Sequence, residues 1–185
     1  MGRTRTISKD EILDAAVRVV IRERASGLSI DAVAREANIS KSTVVYDHKT
    51  KSALLEALVD RQVRSDMAHI EECIAQNRDA PHPELFGRIA ACEAQLDEAD
   101  RAVAIAISAS VSNEESLQEL MREWTEKDLQ DMASGPRPEA ALMAYFALMG
   151  FYATELFGFR TWPQDERKQV LNDIRSVYRS FDRKA

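Results

Sequence analysis

The sequence contains few of the residues that interrupt helices. It has six glycines and five prolines among 185 residues. It also has no run of Val, Ile or Thr that alternates with polar residues over the length of a strand, which is the pattern of a half-buried β-strand. Both absences argue against a sheet and predict an all-α fold. At 45% hydrophobic and 30% charged residues, the composition is typical of a globular protein and not of a disordered one.

Cysteine is scarce as well. Cys73 and Cys92 are the only two, and they do not have the spacing of metal ligands. They therefore predict reduced side chains that pack within helices, not a disulfide scaffold. The first residues are basic but lack the apolar run of a secretory signal. We expect a cytoplasmic protein from these features.

The motifs of common enzymes are missing. The sequence has no Gly-rich phosphate loop, no nucleophile elbow and no recognisable His, Asp and Ser set. His69 and Cys73 lie four residues apart on one predicted helix face, with Glu72 beside them, which is a spacing that can hold a metal ion. The sequence supplies no third ligand, so a packed or solvated pair is the preferred interpretation. We expect no enzymatic activity, no cofactor and no metal site.

The basic and acidic residues are unevenly distributed along the chain. Residues 1–51 hold ten Lys and Arg against seven Asp and Glu, whereas the remainder holds fifteen against twenty-four. The chain as a whole has a formal charge of −6. Such an asymmetry is typical of a protein with one end that faces a polyanion and a body that is kept away from it.

Residues 29–50 have the spacing of a helix-turn-helix. Ser29 can cap a short helix, and Asn38 follows its last apolar residue. Asn tolerates the left-handed backbone conformation that ends a helix better than any residue except glycine. Ser40 can cap the next helix at once. The pattern predicts two short helices joined by a turn of about three residues.

Other breaks divide the chain into about nine helices. Ser8 and Glu11 have the spacing of a capping box, which opens the first helix, and that helix is predicted to stop before Gly27. Residues 77–83 and 135–138 are the clearest breaks. Later helices are predicted at residues 50–76, 83–98, 101–111, 114–133, 139–159 and 164–183. We therefore predict a three-helix helix-turn-helix domain at residues 1–50 and a larger helical dimerisation and ligand-binding domain at residues 51–185.

Residues 12–55 resemble the N-terminal domain of the TetR family of bacterial regulators. The total length and the positions of the breaks agree with that family as well. The residues that carry the resemblance are Ile12, Leu13, Ala15, Ala16, Val33, Ala34, Ala37, the run from Ile39 to Val44, Lys51, Leu54 and Leu55. The resemblance implies a DNA-binding domain on an all-helical body, with the last two helices of each subunit forming a four-helix dimer interface.

Two positions depart from the family pattern. The family usually has an aromatic residue, most often Tyr, where this chain has Val45, and an aromatic or apolar residue where it has His48. Tyr46 is displaced by one position, which is about 100° around a helix. We expect Val44 and His48 to point into the small core, with His48 as a packed histidine. The departures predict an unusual recognition surface.

The third helix is the predicted reader of DNA bases, because a recognition helix presents its N-terminal side chains to the major groove. Lys41 can donate to guanine acceptors, and Val45 can contact a thymine methyl group. Lys51, in the first turn of the fourth helix, is predicted to bind a phosphate, with a solvated lysine as the alternative. Arg3 and Arg5 resemble a basic arm, with a frayed terminus as the alternative. The full set of predicted DNA-contacting residues is Arg3, Arg5, Ser29, Ser40, Lys41, Ser42, Thr43, Val45, Tyr46 and Lys51.

Residues 140–159 are almost continuously apolar and are long enough to resemble a membrane span. Thr154 and Glu155 interrupt the run, and no cationic flanks define an orientation. We therefore predict a helix that is buried in a dimer interface, with the last helix supplying a matching apolar stripe, and no contact with a membrane. The predicted interface residues are Ala140, Ala144, Ala147, Gly150, Leu171, Ile174, Val177, Tyr178 and Phe181.

The helices between residues 80 and 133 exceed what dimerisation requires, which predicts a cavity for a small apolar or amphipathic effector. A mixture of methionines and aromatic residues is common in apolar ligand sites, although it is also an ordinary core composition. The predicted lining residues are Phe86, Ile89, Leu96, Leu117, Met121, Trp124, Met143 and Phe146.

Together these features predict a transcriptional regulator that binds a palindromic double-stranded DNA operator as a homodimer. We expect a repressor that is released by its effector. A helical interaction module that has lost DNA binding is the main alternative, because Val45 and His48 depart from the family pattern. A helical enzyme and a membrane-attached factor are the others.

Overall fold

The computed structural model describes residues 7–111 and 114–181, and within these residues it consists of nine helices and no strand. The predicted all-α fold is confirmed. The helices are α1 Lys9–Gly27, α2 Ile30–Ala37, α3 Lys41–Asp47, α4 Lys51–Gln76, α5 Pro83–Ala91, α6 Glu98–Val111, α7 Glu115–Ala133, α8 Pro138–Leu156 and α9 Gln164–Ser180.

The chain divides into two compact units. The first contains Met1–Arg64 and Asp97–Gln118, and the second contains Ser65–Leu96 and Glu119–Ala185. The first unit extends past the predicted domain boundary at residue 50, because α6 and the first half of α4 pack with the N-terminal helices. Two long helices, α4 and α7, therefore contribute residues to both units.

The first unit is built around α1, which contacts both α2 and α6. The predicted capping box opens this helix: the backbone N–H of Ser8 donates to Glu11 Oε2 at 2.9 Å, and that of Glu11 donates to Ser8 Oγ at 3.2 Å. The helix extends through Gly27, one residue beyond its predicted end, with a non-helical residue at Arg24. The buried side chains of this unit include Ile12, Ala16, Val19, Val20, Val33, Val44, Leu54, Leu58 and Val103.

The second unit packs α5 and α9 against α8. Its core contains Leu85, Ile89, Met132, Ala141, Ala144, Leu148, Leu171, Ile174 and Tyr178. The residue at position 87 must be small, because a Cβ at Gly87 would lie 2.6 Å from the Cα of Ile74. Among the residues that the structure describes, no helix is long and apolar enough to cross a membrane.

Arg167 of α9 connects three helices within the second unit. Its side chain is 4% exposed, and its guanidinium forms two hydrogen bonds to the carboxylate of Glu155 in α8, at 2.7 and 3.1 Å. It also donates to the backbone carbonyls of Cys92, of Glu93 at 2.8 Å and of Ala94 at 3.1 Å. These carbonyls follow α5, so the buried arginine supplies hydrogen-bond donors to backbone groups of the connection that comes after that helix.

This contact explains why α5 is shorter than predicted. The helix ends at Ala91 and not near residue 98, and α6 begins at Glu98 and not at residue 101. The side chain of Asp97 accepts from the backbone N–H of Asp100 at 2.7 Å, as a helix N-cap does. The predicted helix from 83 to 98 is therefore wrong, because its second half lies in a connection that Arg167 and Asp97 stabilise at its two ends.

A second buried arginine lies between α5 and α7. Arg88 donates to Asp128 Oδ1 at 2.5 Å and to Asp131 Oδ2 at 2.7 Å. The hydroxyl of Tyr145 in α8 donates to the other oxygen of Asp128 at 2.8 Å. Burial and this hydrogen bond raise the pKa of Tyr145 above its usual value. The cluster is a polar contact that joins α5, α7 and α8 within the second unit.

Candidate nucleic-acid interface

The predicted turn between α2 and α3 is confirmed in its backbone geometry. The side chain of Ser29 accepts from the N–H of Ala32 at 3.1 Å and so caps α2. Asn38 ends that helix in the left-handed conformation, with φ of 55° and ψ of 49°. The N–H of Ile39 then donates to the carbonyl of Ala34 at 3.0 Å. Ser40 caps α3 directly afterwards, so the two helices are separated by three residues.

The short helix α3 has an inner and an outer face. Val44 and His48 lie inside the first unit, as predicted. Tyr46 lies on the outer face and is 87% exposed, and Val45 beside it is 37% exposed. Lys41 and Ser42 are exposed at the beginning of the helix, while Thr43 is half-buried. The outer face therefore combines a cation, hydroxyl groups, a small apolar side chain and an aromatic ring.

His48 is a packed neutral ring. Its side chain is 6% exposed, and its Nε2 atom has no hydrogen-bond partner among the residues that the structure describes. Burial lowers the pKa of this histidine, because a charged ring is poorly solvated there, and nearby Lys9 adds to the effect while Asp47 opposes it. The histidine thus fills the position of an aromatic or apolar residue without offering a charge to DNA.

The polar groups at the beginning of α3 are already engaged. The Nζ of Lys41 lies 2.9 Å from Asp31 Oδ2 of α2. The hydroxyl of Ser40 lies 2.8 Å from both Ser42 Oγ and Thr43 Oγ1. An exposed ion pair of this kind contributes only about 0–1 kcal/mol. Lys41 can therefore exchange Asp31 for another partner at small cost.

The first turn of α4 belongs to the first unit, as α2 and α3 do. The side chain of Thr50 accepts from the N–H of Ala53 at 3.0 Å and caps the helix. Lys51 is exposed at the first position of the helix, and Lys49, which is not among the predicted DNA-contacting residues, is exposed beside it. Nearby, Ser52 donates to Glu114 Oε1 at 3.0 Å. Two lysines thus flank the N-terminus of a 26-residue helix.

Long-range ion pairs hold α2 against α1. Arg18 and Arg22 of α1 both donate to the carboxylate of Glu36, at 2.8 and 2.7 Å. Hydrogen bonds from these two arginines, with Arg22 contributing more, lower the pKa of Glu36. Local periodicity did not reveal these pairs, because the partners are 14 and 18 residues apart.

Two predicted DNA-contacting residues, Arg3 and Arg5, lie outside the described residues. The structure brings Ser40, Lys41, Ser42, Thr43, Val45 and Tyr46 together on and beside α3, with Ser29 at the start of α2. Ser29 and Ser40 use their side-chain oxygens as helix caps. Lys51 lies at the start of α4 in the same unit.

The predicted effector residues are divided between the two units. Phe86 and Ile89 are buried in the core of the second unit, while Leu117 belongs to the first unit. Met143 and Phe146 of α8 are 40% and 53% exposed. The remaining three, Leu96, Met121 and Trp124, are half-buried residues of the second unit.

The predicted interface residues also separate into two groups. Ala140, Ala144, Leu171, Ile174 and Tyr178 are buried in the second unit's own core, and Val177 and Phe181 pack against it. Ala147 and Gly150 are instead exposed on the opposite face of α8. Periodicity identifies a buried face but not what buries it, and here α8, α9 and α5 cover one another.

The candidate metal pair has no further ligands near it. His69 Nε2 and Cys73 Sγ are 3.9 Å apart, and within residues 7–111 and 114–181 no group of three or more His, Cys, Asp or Glu side chains is arranged to hold a metal ion. Burial raises the pKa of Cys73, and it raises that of Cys92 to about 12. Both thiols are free and stay protonated at neutral pH.

Two family models match this chain. The model described as bacterial regulatory proteins, tetR family, matches residues 12–58. The model described as tetracyclin repressor-like, C-terminal domain, matches residues 87–179, which is half of the chain. The first match covers the helix-turn-helix and the beginning of α4. No curated protein sequence matches this chain.

Solved structures share the fold over nearly the full length. A transcriptional regulator from Rhodococcus sp. Rha1 is 19% identical with a TM-score of 0.75, and the match covers 97% of this chain and all of the other. A regulator from Saccharomonospora viridis in complex with choline is 18% identical with a TM-score of 0.71, covering 90% and 94%. The multidrug binding protein EbrR complexed with imidazole is 19% identical with a TM-score of 0.64, covering 91% and 95%.

Proposed function

The chain belongs to the TetR family of DNA-binding bacterial transcriptional regulators, and we propose that it acts as a repressor. In this proposal a homodimer binds a palindromic operator and leaves it when a small ligand binds. The observation that carries the proposal is the outer face of α3, where exposed polar and aromatic side chains follow directly on a capped turn.

The outer face of α3 has the chemistry for reading base edges. Lys41 can donate to the N7 and O6 acceptors of guanine, and Ser42 and Thr43 can donate or accept. Val45 suits a thymine methyl group. Tyr46, the most exposed of these side chains, can reach a base or a phosphate with its hydroxyl group. Together these side chains favour DNA reading over an interaction module without DNA.

Phosphate contacts would orient this face on the duplex. Lys51 stands in the first turn of α4, where backbone N–H groups and the helix dipole favour an anion. Ser29 and Ser40 hold the beginnings of α2 and α3, the two helices that carry the motif. Arg3 and Arg5 complete the proposed basic surface as an N-terminal arm.

The homodimer is proposed to form through the exposed face of α8. Met143, Phe146, Ala147 and Gly150 recur at intervals of three and four residues, and all four are exposed. A Cβ added at Gly150 would meet no atom of the described residues within 4 Å outside the adjoining part of its own helix. Large side chains flanking small ones form a surface that a two-fold symmetric copy can complement. In this proposal the exposed face of α8, together with the half-buried Val177 and Phe181 of α9, forms the interface in place of the fully buried residues that were predicted.

Release by a small ligand is the third part of the proposal. Choline and imidazole in the complexes with related folds support it. Within the second unit, Met121 and Trp124 of α7 are predicted effector residues that remain half-buried. A ligand can shift the equilibrium only if it binds the DNA-free arrangement more tightly.

Selection of bound sequences from a random pool of duplex DNA tests the proposal. We expect enrichment of a palindrome whose half-sites are separated by about one helical turn, because protein symmetry is mirrored in the operator. Sedimentation of the selected complex should show two chains on each duplex. Enrichment of no sequence, with a folded protein, would favour the interaction module that does not bind DNA.

A further inference from the structure

An acidic residue lies beside the face of α3 that is proposed to read DNA. Asp31 is in the first turn of α2, and its Oδ2 atom accepts a hydrogen bond from the Nζ atom of Lys41 at 2.9 Å. Both side chains are largely exposed, at 64% for Asp31 and 61% for Lys41. A carboxylate in this position needs an explanation, because the phosphates of DNA repel a negative charge.

Two ordinary roles of Asp31 require no contact with DNA. A carboxylate in the first turn of a helix interacts favourably with the helix dipole, and an exposed ion pair adds little to stability. Neither role explains the choice of partner. Within the part of the chain that the structure describes, Asp31 pairs with Lys41, 10 residues away in α3, and not with Arg35, which is exposed one turn along α2. The pair places a carboxylate at the beginning of the recognition helix.

The pair can bind a further group through each of its members. An ammonium group has three N–H donors, and an ionised carboxylate has about four lone-pair sites. Within residues 7–111 and 114–181, the side chains of Asp31 and Lys41 form no hydrogen bond except the one that joins them. The pair can therefore stay intact while Lys41 donates to DNA and Asp31 accepts from it. Its two charges also offset each other, which reduces the repulsion between Asp31 and the phosphates.

A G·C base pair presents the complementary pair of groups in the major groove. Guanine O6 is an acceptor, and the N4 amino group of cytosine beside it is a donor. A Watson–Crick N–H···O hydrogen bond joins these two atoms, and such a bond is about 2.9 Å long. The same distance, 2.9 Å, separates Nζ of Lys41 from Oδ2 of Asp31. The ammonium can thus donate to O6 while the carboxylate accepts from N4.

The other base pairs fit this donor and acceptor to different extents. In an A·T pair, with adenine on the side of Lys41, an amino group faces the ammonium and thymine O4 faces the carboxylate, so both contacts are unfavourable. A C·G pair in the same orientation reverses the two groups as well. A T·A pair keeps the order but lacks the N7 acceptor of guanine, which Lys41 can also reach. The expected order of preference is G·C, then T·A, then the two reversed pairs.

We propose that Asp31 and Lys41 together read one G·C pair in each half of the operator, with Asp31 selecting the cytosine. This inference rests on the proposed function, because it requires α3 to enter the major groove. Its own content is that a residue of α2 determines specificity together with α3. A wrong base pair leaves the desolvated carboxylate without a donor or facing an acceptor. Asp31 therefore acts mainly by rejecting other sequences.

Binding titrations of Asp31→Ala on operator variants test the proposal. The wild-type chain first selects an operator from random duplex DNA, and the base pair to be tested is the one whose selection is lost in Lys41→Ala. We expect wild type to prefer G·C over A·T at this position by at least about tenfold, and Asp31→Ala to lose most of that preference. The loss should come from tighter binding to the A·T and C·G sites. A base pair other than G·C in the wild-type operator, or an unchanged preference in Asp31→Ala, would overturn the proposal.

Asp14→Ala is the matched control. Asp14 is 56% exposed and forms an ion pair of the same kind, with Arg61 at 2.7 Å, in the same unit. Its removal makes the same change in net charge, so affinity for all operator variants should rise by a similar factor and the order of base pairs should not change. A loss of preference in Asp14→Ala as large as that in Asp31→Ala would show that net charge, and not a contact with cytosine, sets the preference.

An operator that carries N4-methylcytosine at the tested position examines the contact itself. The methyl group replaces the N–H that faces the major groove and leaves the Watson–Crick pair in place. We expect wild type to lose at least about tenfold in affinity and Asp31→Ala less than about twofold. Equal losses would show that Asp31 only holds Lys41 in place, and the proposal would be wrong while the proposed function stands. If wild type selects no sequence at all, the proposed function fails and the inference fails with it.

Discussion

The outer faces of α3 and α8 are both exposed, yet they offer a partner different chemistry. The face of α3 carries Lys41, Ser42 and Tyr46, whose polar groups can exchange water for base edges and phosphates. The face of α8 carries Phe146 and Gly150 among other apolar residues. Burial of apolar surface is favourable by about 25 cal/mol of free energy for each Å² that is removed from water. One face therefore suits a hydrated polyanion, and the other suits a dry contact with protein.

The two helices also differ in how their inner sides are held. Local contacts hold α3: the cap at Ser40 and the buried side chains of Val44 and His48. Distant residues hold α8, most clearly through the pair between Glu155 and Arg167. Substitutions on the inner and outer sides of these helices should consequently have separable effects on folding, assembly and DNA binding.

The largest effect is expected for Arg167→Met. The change leaves Glu155 and the carbonyls after α5 without their donor, and breaking a buried ion pair costs about 3–5 kcal/mol. Urea denaturation should show this loss in the free energy of unfolding. Arg175→Met in the same helix loses a pair with exposed Glu93 and should cost less than about 1 kcal/mol. Similar losses for both would mean that the Arg167 contacts are not the main support of α8.

Gly150→Arg should separate assembly from folding. A Cβ at Gly150 meets no atom outside its own helix within 4 Å, and arginine is a better helix former than glycine, so the free energy of unfolding of the monomer should not fall. It places an unpaired charge in the proposed dimer interface. We expect monomers in sedimentation and at least about a 100-fold loss of operator affinity, because two linked contacts become one.

Ala133→Arg is the control, since Ala133 is exposed on α7 of the same unit. It should leave both the dimer and DNA binding intact. A dimer of Gly150→Arg that still binds its operator would show that α8 faces water and not a second copy.

Lys41→Ala and Lys51→Ala should distinguish base reading from phosphate binding. Loss of Lys41 should change which bases are preferred and cost about 1–3 kcal/mol on the best site. Loss of Lys51 should weaken all sequences about equally and reduce the slope of log affinity against log salt by about one. Binding titrations on the operator and on mismatched sites at several salt concentrations measure both. If Lys41→Ala weakened binding to all sequences equally, Lys41 would be a phosphate contact and not a base-reading residue.

The smallest effect concerns pH and the inner side of α3. Because burial lowers the pKa of His48 in the folded chain, the unfolded chain binds a proton more readily. Above the unfolded-state pKa of about 6.5, His48 is neutral in both states and its ionisation does not affect the free energy of unfolding. As the pH falls below that value, protonation of the unfolded chain lowers the free energy of unfolding. His48→Phe should become progressively more stable than wild type between pH 7.5 and pH 5.

The control for this experiment is Val44→Ala, which changes another buried side chain on the inner side of α3 and removes no ionisable group. Its difference in free energy of unfolding from wild type should stay the same over that range. A free-energy difference between His48→Phe and wild type that stays constant from pH 7.5 to pH 5 would contradict the neutral, buried ring.

Patterns among neighbouring residues predicted the structure of the first unit better than that of the second. The caps at Ser8, Ser29 and Ser40 act over three residues, so a reading of neighbouring positions could identify them. The left-handed Asn38 is local in the same sense. The ion pair between Lys41 and Asp31 was not predicted, because it depends on how α3 crosses α2.

The second unit depends on contacts that no local pattern reveals. α8 is apolar on nearly all sides, so its sequence could not show which face is covered by its own chain. For this reason residues of both faces, such as Ala144 and Gly150, were assigned to one interface. The predicted end of α5 was wrong for a related reason, because the arginine that binds the carbonyls directly after this helix belongs to α9.

That arginine has a consequence for synthesis on the ribosome. Arg167 follows the carbonyls that it binds by 73 to 75 residues. At a translation rate of about 5–20 residues per second, Arg167 is added several seconds after the segment that follows α5 has been synthesised. Residues 1–118, which contain the whole first unit, emerge earlier and hold their own buried partners. Nascent chains should therefore acquire protease resistance in two steps, the DNA-reading unit first and the α8–α9 unit only after α9 has left the exit tunnel.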